Sequence, residues 1–134
     1  MNERIRKSET IQSKVIFPGT LNDNDMLFGG MAMQWMDEVA YITATRYTRK
    51  KMVTVSSDKI QFLLPVQSGT IAEITGKVIK TKNATIEVQV EIYIEEMYSD
   101  YRVKAVNGLF IFAAIDNENK PIPIGFKEYS NQLV

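Results

Sequence analysis

One carboxylate stands out in the run "GGMAMQWMDEVA". Asp37 sits between Met36 and Val39, with Glu38 beside it, where the chain otherwise reads as an apolar helix. That helix opens at Gly29-Gly30. A helix start presents backbone N–H groups without internal partners, at the positive end of the dipole. Glycine lets a ligand oxygen approach them without meeting a Cβ. Donors of this kind can hold the oxyanion of a carbonyl under attack, and a carboxylate can serve as base or nucleophile toward it. Asp37 follows Gly30 by two helical turns, about 10 Å by the helical rise. One carbonyl cannot meet both within a single chain, so the spacing suits a site shared by two subunits. Blander readings stay open on local pattern alone. A glycine pair can be a tight entry turn, and an acid on an apolar helix can lie at a solvated edge or cap a neighbouring segment.

What the chain lacks narrows the chemistry further. Its 134 residues contain no His and no Cys. There is therefore no imidazole base, no Ser-His-Asp triad, no thiolate nucleophile, no disulfide and no Cys-type zinc site. Lys+Arg and Asp+Glu number 16 each, so no net charge draws the chain to nucleic acid or to an anionic membrane. No apolar run approaches the roughly 20 residues that span a bilayer. The opening "MNERIRKSETIQSK" has charges but no apolar stretch after them, so no signal peptide is read there and a cytoplasmic location is expected. The length and the 45% hydrophobic composition fit one globular domain over 1–134.

Weaker motifs dissolve on inspection. "GTIAEITGK" has glycines seven apart, alternates as a strand and precedes no helix, so it is not a phosphate-binding loop. Asp23 and Asp25 lack the glycine and terminal Glu of a calcium loop. Arg46, Arg49, Lys50 and Lys51 read first as cations at a helix end. Tyr93, Tyr98 and Tyr101 have no interleaved basic residues to make a base-stacking platform.

The elements that must hold Asp37 follow from periodicity. "TIQSKVIF" before Pro18-Gly19 predicts a first strand and a turn, and residues 20–28 a loop. From Gly30 to Tyr47, apolar positions recur at three- and four-residue intervals. Met31, Trp35 and Ile42 widen the stripe, so the helix is expected to be buried. Four strands follow: "MVTVSSDKIQF", "TIAEITGKVIKT", "TIEVQVEIYIEEM" and "YRVKAVNGLFIFAAID". In the third, Ile86, Val88, Val90, Ile92 and Ile94 share one face. The short connections predict a four-strand meander. The fold expected is α+β, a five-stranded antiparallel sheet wrapped around one long central helix, the hotdog arrangement. Its exposed edges predict a homo-oligomer.

The segments "LNDNDMLFGGMAMQWMDEVA" and "VTVSSDKIQFLLPVQSGT" resemble the hotdog acyl-CoA thioesterases, in particular the YciA-like and cytosolic acyl-CoA hydrolases. The resemblance runs from about Val15 to Pro123. It rests on N-x-N-x-x-x-F-G-G, then Met-Asp, then D-x-x-x-F-x-x-P, and the ending "FIFAAIDNENKPIPI" is also similar to that family. It implies acyl-CoA hydrolysis to a free acid and coenzyme A, with no separate cofactor and no metal. Asp37 would be general base or nucleophile, Asn22 would position water or thioester, and the Gly30 N–H would bind the thioester oxygen. Asn24, Phe28 and Gly29 would contact substrate. Lys80, Lys82, Asn83 and Thr85, in a turn between strands, would meet the coenzyme A portion, although a solvated hairpin tip explains them equally. Many relatives carry His before the glycine pair, where this chain has Phe28, and Gly-Asp where it has Asp25-Met26. The resemblance also implies a homodimer assembled into a trimer of dimers. A hotdog hydratase is disfavoured by the absence of His. The alternatives are a non-catalytic acyl-CoA-binding module and a purely structural oligomer.

Overall fold

The computed structural model describes residues 3–130. In chain order it contains α1 (Glu3–Ser8), β1 (Thr10–Val15), a 3-10 turn (Pro18–Thr20), α2 (Gly29–Thr48), β2 (Met52–Phe62), β3 (Thr70–Thr81), β4 (Thr85–Glu96), β5 (Arg102–Ala114) and β6 (Tyr129–Ser130). α2 is the predicted helix with one residue added at each end. It stops where Arg49 turns left-handed at φ 52° and donates its N–H to Thr45 O. α1 was not expected. Glu3 opens it, Arg6 and Lys7 close it, and it buries Ile5. The Arg4 guanidinium lies over the Phe126 ring and donates to Tyr47 O, tying α1 to the end of α2.

The antiparallel sheet wraps α2 as the hotdog expectation required, with two corrections. It has six strands, because the two-residue β6 pairs with Lys80 and Thr81 along the edge of β3 that β1 occupies farther up. The strand order is β1-β3-β4-β5-β2, so the meander is confined to β3, β4 and β5, and β2 lies at the far edge beside β5. The cause is the link after Phe62. Pro65 cannot donate and biases the preceding residue away from a tight helical turn, so no hairpin closes there. Instead the link crosses the fold. The Leu63 N–H bonds Ala105 O on β5, the Leu27 N–H bonds Val66 O, and the Gly69 N–H bonds Ile16 O beyond β1.

Burial follows the alternation read from sequence. Ile86, Val88, Val90 and Ile92 are fully buried, and Ile94 nearly so. They face Trp35, Met36, Val39, Ala40 and Ala44 of α2 in one core. Gly76 sets how closely helix and sheet approach. A Cβ there would come 2.5 Å from Thr43 Oγ1 and 2.9 Å from Val39 Cγ1. The helix is not buried all round, however. Met33 is 39% and Tyr41 46% exposed, on the side that also carries Gly30, Gln34 and the half-buried Asp37.

Candidate active site

The loop before α2 is shaped by its own asparagine. Asn22 Oδ1 accepts from the Asn24 N–H at 2.8 Å and the Met26 N–H at 3.2 Å, and the Asn22 N–H bonds Met26 O at 2.7 Å. This Asx-type arrangement leaves the side-chain NH2 of Asn22 free to donate. The loop is pinned at its far end by the Phe28 N–H, which bonds Thr20 O at 3.0 Å. Phe28 is the N-cap of α2 and supplies no side-chain acceptor, while the Met31 and Ala32 N–H groups both bond Phe28 O. The Gly29 and Gly30 N–H groups thus have no internal acceptor and point out of the helix start. The Phe28 ring, 57% exposed, packs against Gly30, where a Cβ would stand 2.8 Å from Phe28 Cε2.

Asp37 opens onto a hollow of about 360 Å³ that Gly30, Gln34, Thr54, Ser57 and Phe110 also line. The Thr54 hydroxyl donates to Asp37 Oδ1 at 3.4 Å, a long and weak hydrogen bond. The sequence reading missed Thr54 and Ser57. Both lie in a strand whose turn of register, described below, cannot be seen from alternation.

Asn22 and Gly29 line a second, apolar hollow of about 270 Å³ on the other side of the helix start, with Met26, Ala32, Phe62 and Leu64. The sequence reading took Phe62 and Pro65 only as motif positions, and the crossing link after Phe62 is what brings them here. Lys80, Lys82 and Asn83 line a third hollow of about 470 Å³ together with Tyr129 and Ser130 of β6. Thr85 does not line it, and its carbonyl accepts the Lys82 N–H at 2.8 Å. By register, Thr54 faces Phe112, Phe112 faces Ile86, and Ile86 faces Thr81. Three strand spacings, about 14 Å, therefore separate the lysine turn from the Asp37 hollow along the sheet. Asn24 is exposed and lines none of these three hollows. The predicted constellation is thus divided within one chain: Gly30 with Asp37, Asn22 with Gly29, and the lysines apart from both. Among the described residues, no group of three or more Asp or Glu could hold a metal ion, and no helix is long and apolar enough to cross a membrane.

Similarity to known proteins bears on these hollows. The Thioesterase superfamily profile matches residues 24–100. The chain is similar in structure to an acyl-CoA hydrolase from Bacillus cereus, at 36% identity and TM-score 0.86, covering 89% of this chain and 73% of that one. It is similar to the acyl-CoA hydrolase of Staphylococcus aureus, solved in complex with butyryl coenzyme A and coenzyme A, at 30% identity and TM-score 0.85, with coverage of 89% and 73%. Variants of that enzyme with an aspartate, a threonine or an asparagine changed to alanine have also been solved. An apo-hexameric acyl-CoA thioesterase is similar at 28% identity and TM-score 0.86, covering 89% of this chain and 76% of that one.

Proposed function

This chain belongs to the Thioesterase superfamily and is a thioesterase, and we propose that Asp37 drives its hydrolysis of acyl-CoA to a free acid and coenzyme A. The observation that carries the reading is the Asp37 hollow, where a carboxylate that accepts from the Thr54 hydroxyl opens onto a space large enough for a thioester. The aspartate, threonine and asparagine changed in the Staphylococcus aureus variants stand at the same mutual intervals as Asp37, Thr54 and Asn22 here, which supports the assignment of all three.

Asp37 takes a proton from water as the water oxygen bonds to the thioester carbon. Backbone N–H at Gly30 receives the charge that develops on the carbonyl oxygen. When the tetrahedral intermediate collapses, the C–S bond breaks and the proton held by Asp37 passes to the leaving thiolate. Direct attack by the carboxylate, through an anhydride that water then opens, uses the same atoms. A thioester is activated enough for either route without imidazole or metal.

A second subunit completes the site. Gly30 and Asp37 of one chain are about 10 Å apart along the helix, so the N–H that meets a carbonyl beside Asp37 comes from the partner. Among the described residues β2 pairs only with β5, and its other edge, left unpaired by them, carries Val53 and Val55, 43% and 57% exposed. Such an edge beside exposed Met33 and Tyr41 suits pairing with a second copy. A trimer of such dimers is the larger assembly proposed, in keeping with the hexameric neighbour. The apolar hollow at Ala32 and Leu64 takes the acyl chain, and Lys80 and Lys82 meet coenzyme A phosphates.

The test is thiol release from an acyl-CoA panel, read with a chromogenic thiol reagent. The wild type should release coenzyme A, and Asp37→Ala should lose at least about a hundredfold in kcat while keeping its melting temperature. Binding of acyl-CoA without release by the wild type would instead make the chain an acyl-CoA-binding module.

A further inference from the structure

The ladder between β2 and β5 is irregular where it passes Asp37. Thr54 faces Phe112, Ser56 faces Ile111 and Ser57 faces Phe110, so Val55 is an extra residue without a partner. In a regular strand, side chains three positions apart point to opposite faces. The bulge cancels that alternation. Thr54 and Ser57 both stand opposite phenylalanines of β5 that are buried on the side facing α2, Phe112 at 0% and Phe110 at 1% exposure. Both hydroxyls accordingly line the Asp37 hollow, while Ser56, opposite Ile111, does not. A second irregularity lies between Asp58 and Gln61, with Lys59 at φ 53°. Ser57 is therefore fixed in a short regular stretch between two irregularities.

We infer that the Ser57 hydroxyl is a water-positioning group for the hydrolysis, brought beside Asp37 by the Val55 bulge; this rests on the reading of Asp37 as the acid of the reaction. An attacking water has two O–H bonds. One proton goes to Asp37 as the new C–O bond forms. The other stays on the oxygen, ends in the carboxyl product, and needs an acceptor to hold the water still. The Thr54 hydroxyl keeps lone pairs while it donates. Its Oγ1, however, stands 3.4 Å from Asp37 Oδ1, closer than the roughly 4.4 Å between acceptors on the two hydrogens of one water at ordinary O–H···O lengths. Met33, Phe110 and Gly30 offer the hollow no side-chain acceptor. Two remain: Gln34 Oε1 at the end of a long exposed side chain, and Ser57 Oγ on a short one anchored in the sheet. A group on a rigid element aligns a nucleophile with the smaller loss of freedom. Ser57 Oγ therefore accepts the second hydrogen and aims the water lone pair at the thioester carbon.

Steady-state hydrolysis of straight-chain acyl-CoAs by the full chain tests this. Ser57→Ala should lower kcat about tenfold or more, the loss of one hydrogen bond made in the transition state, with KM within about twofold. Ser57→Thr, which restores a hydroxyl, should recover most of the rate. Ser56→Ala, the same change on the opposite face, should leave it unaltered. Wild-type kcat in Ser57→Ala overturns the inference. So does an equal loss in Ser56→Ala, or a loss that accompanies dissociation of the oligomer on size-exclusion chromatography, since either assigns the effect to strand or assembly. If Asp37→Ala keeps full activity, the parent reading falls and takes this one with it. If Asp37→Ala is inactive and Ser57→Ala is not, only the Ser57 role is lost.

Discussion

At the scale of single residues, the site is built from groups whose remaining hydrogen-bonding capacity decides their use. Asn22 spends its side-chain oxygen on two loop N–H groups and keeps only its NH2 to offer. Asn22→Asp preserves the acceptor and removes the donor, whereas Asn22→Ala removes both. If the amide touches substrate or water, both variants should lose kcat by about tenfold or more. If Asn22 only shapes the loop, Asn22→Asp should turn over like wild type while Asn22→Ala is impaired, and comparing the two rates decides between the roles. The glycine pair is likewise unequal. A Cβ at Gly29 would make ordinary contact with Phe62 at 3.6 Å, but at Gly30 it would drive into the Phe28 ring. Gly30→Ala should therefore depress kcat far more than Gly29→Ala, with little change in melting temperature, because an exposed ring can swing aside while the reacting oxygen loses its approach.

At the scale of elements, the position of Asp37 depends on how closely α2 approaches the sheet. Gly76 lies under Val39 and Thr43, two and six residues beyond Asp37, and leaves no space for a methyl group. Gly76→Ala should push the helix outward, cost about 1–3 kcal/mol and lower the melting temperature by several degrees. Because Asp37 rides on the same helix, its activity should fall along with its stability, and calorimetry beside the thiol-release assay reads both. The link 63–69 does comparable work at the other end of α2. By crossing from β5 toward β1 it builds the floor of the apolar hollow and buries Val66 against the helix start.

At the scale of the whole molecule, one chain holds half of each proposed reaction centre. The outer edge of β2 and the exposed face of α2 lie on the same side as the Asp37 hollow, so assembly and activity should be coupled. Val53→Lys, which sets a charge on that edge, should shift the protein toward monomer in sedimentation and lower activity in proportion. Activity retained by a demonstrated monomer would remove the partner from the site. The lysine turn is separable from this. Lys80→Ala with Lys82→Ala should raise KM for acyl-CoA and flatten its salt dependence, since phosphate contacts are screened by ions, with kcat nearly unchanged.

Much of this was legible in the residues because it is local. The strict alternation from Ile86 to Ile94 dictated a strand with one buried face, and the apolar spacing from Gly30 to Tyr47 dictated the helix. The absence of His and Cys confined the chemistry to carboxylate and backbone. The N-x-N-x-x-x-F-G-G and Met-Asp blocks then pointed to the thioesterase family. Other features were set by contacts distant in sequence, and no local pattern carries them. The place of β2 at the far edge depends on which strands β1 and β4 have already covered. The lysine turn's distance from Asp37 comes from the register of four strands. The inward aim of Ser57 comes from one unpaired residue, Val55, whose extra peptide unit reverses the side chains after it as far as the second irregularity between Asp58 and Gln61.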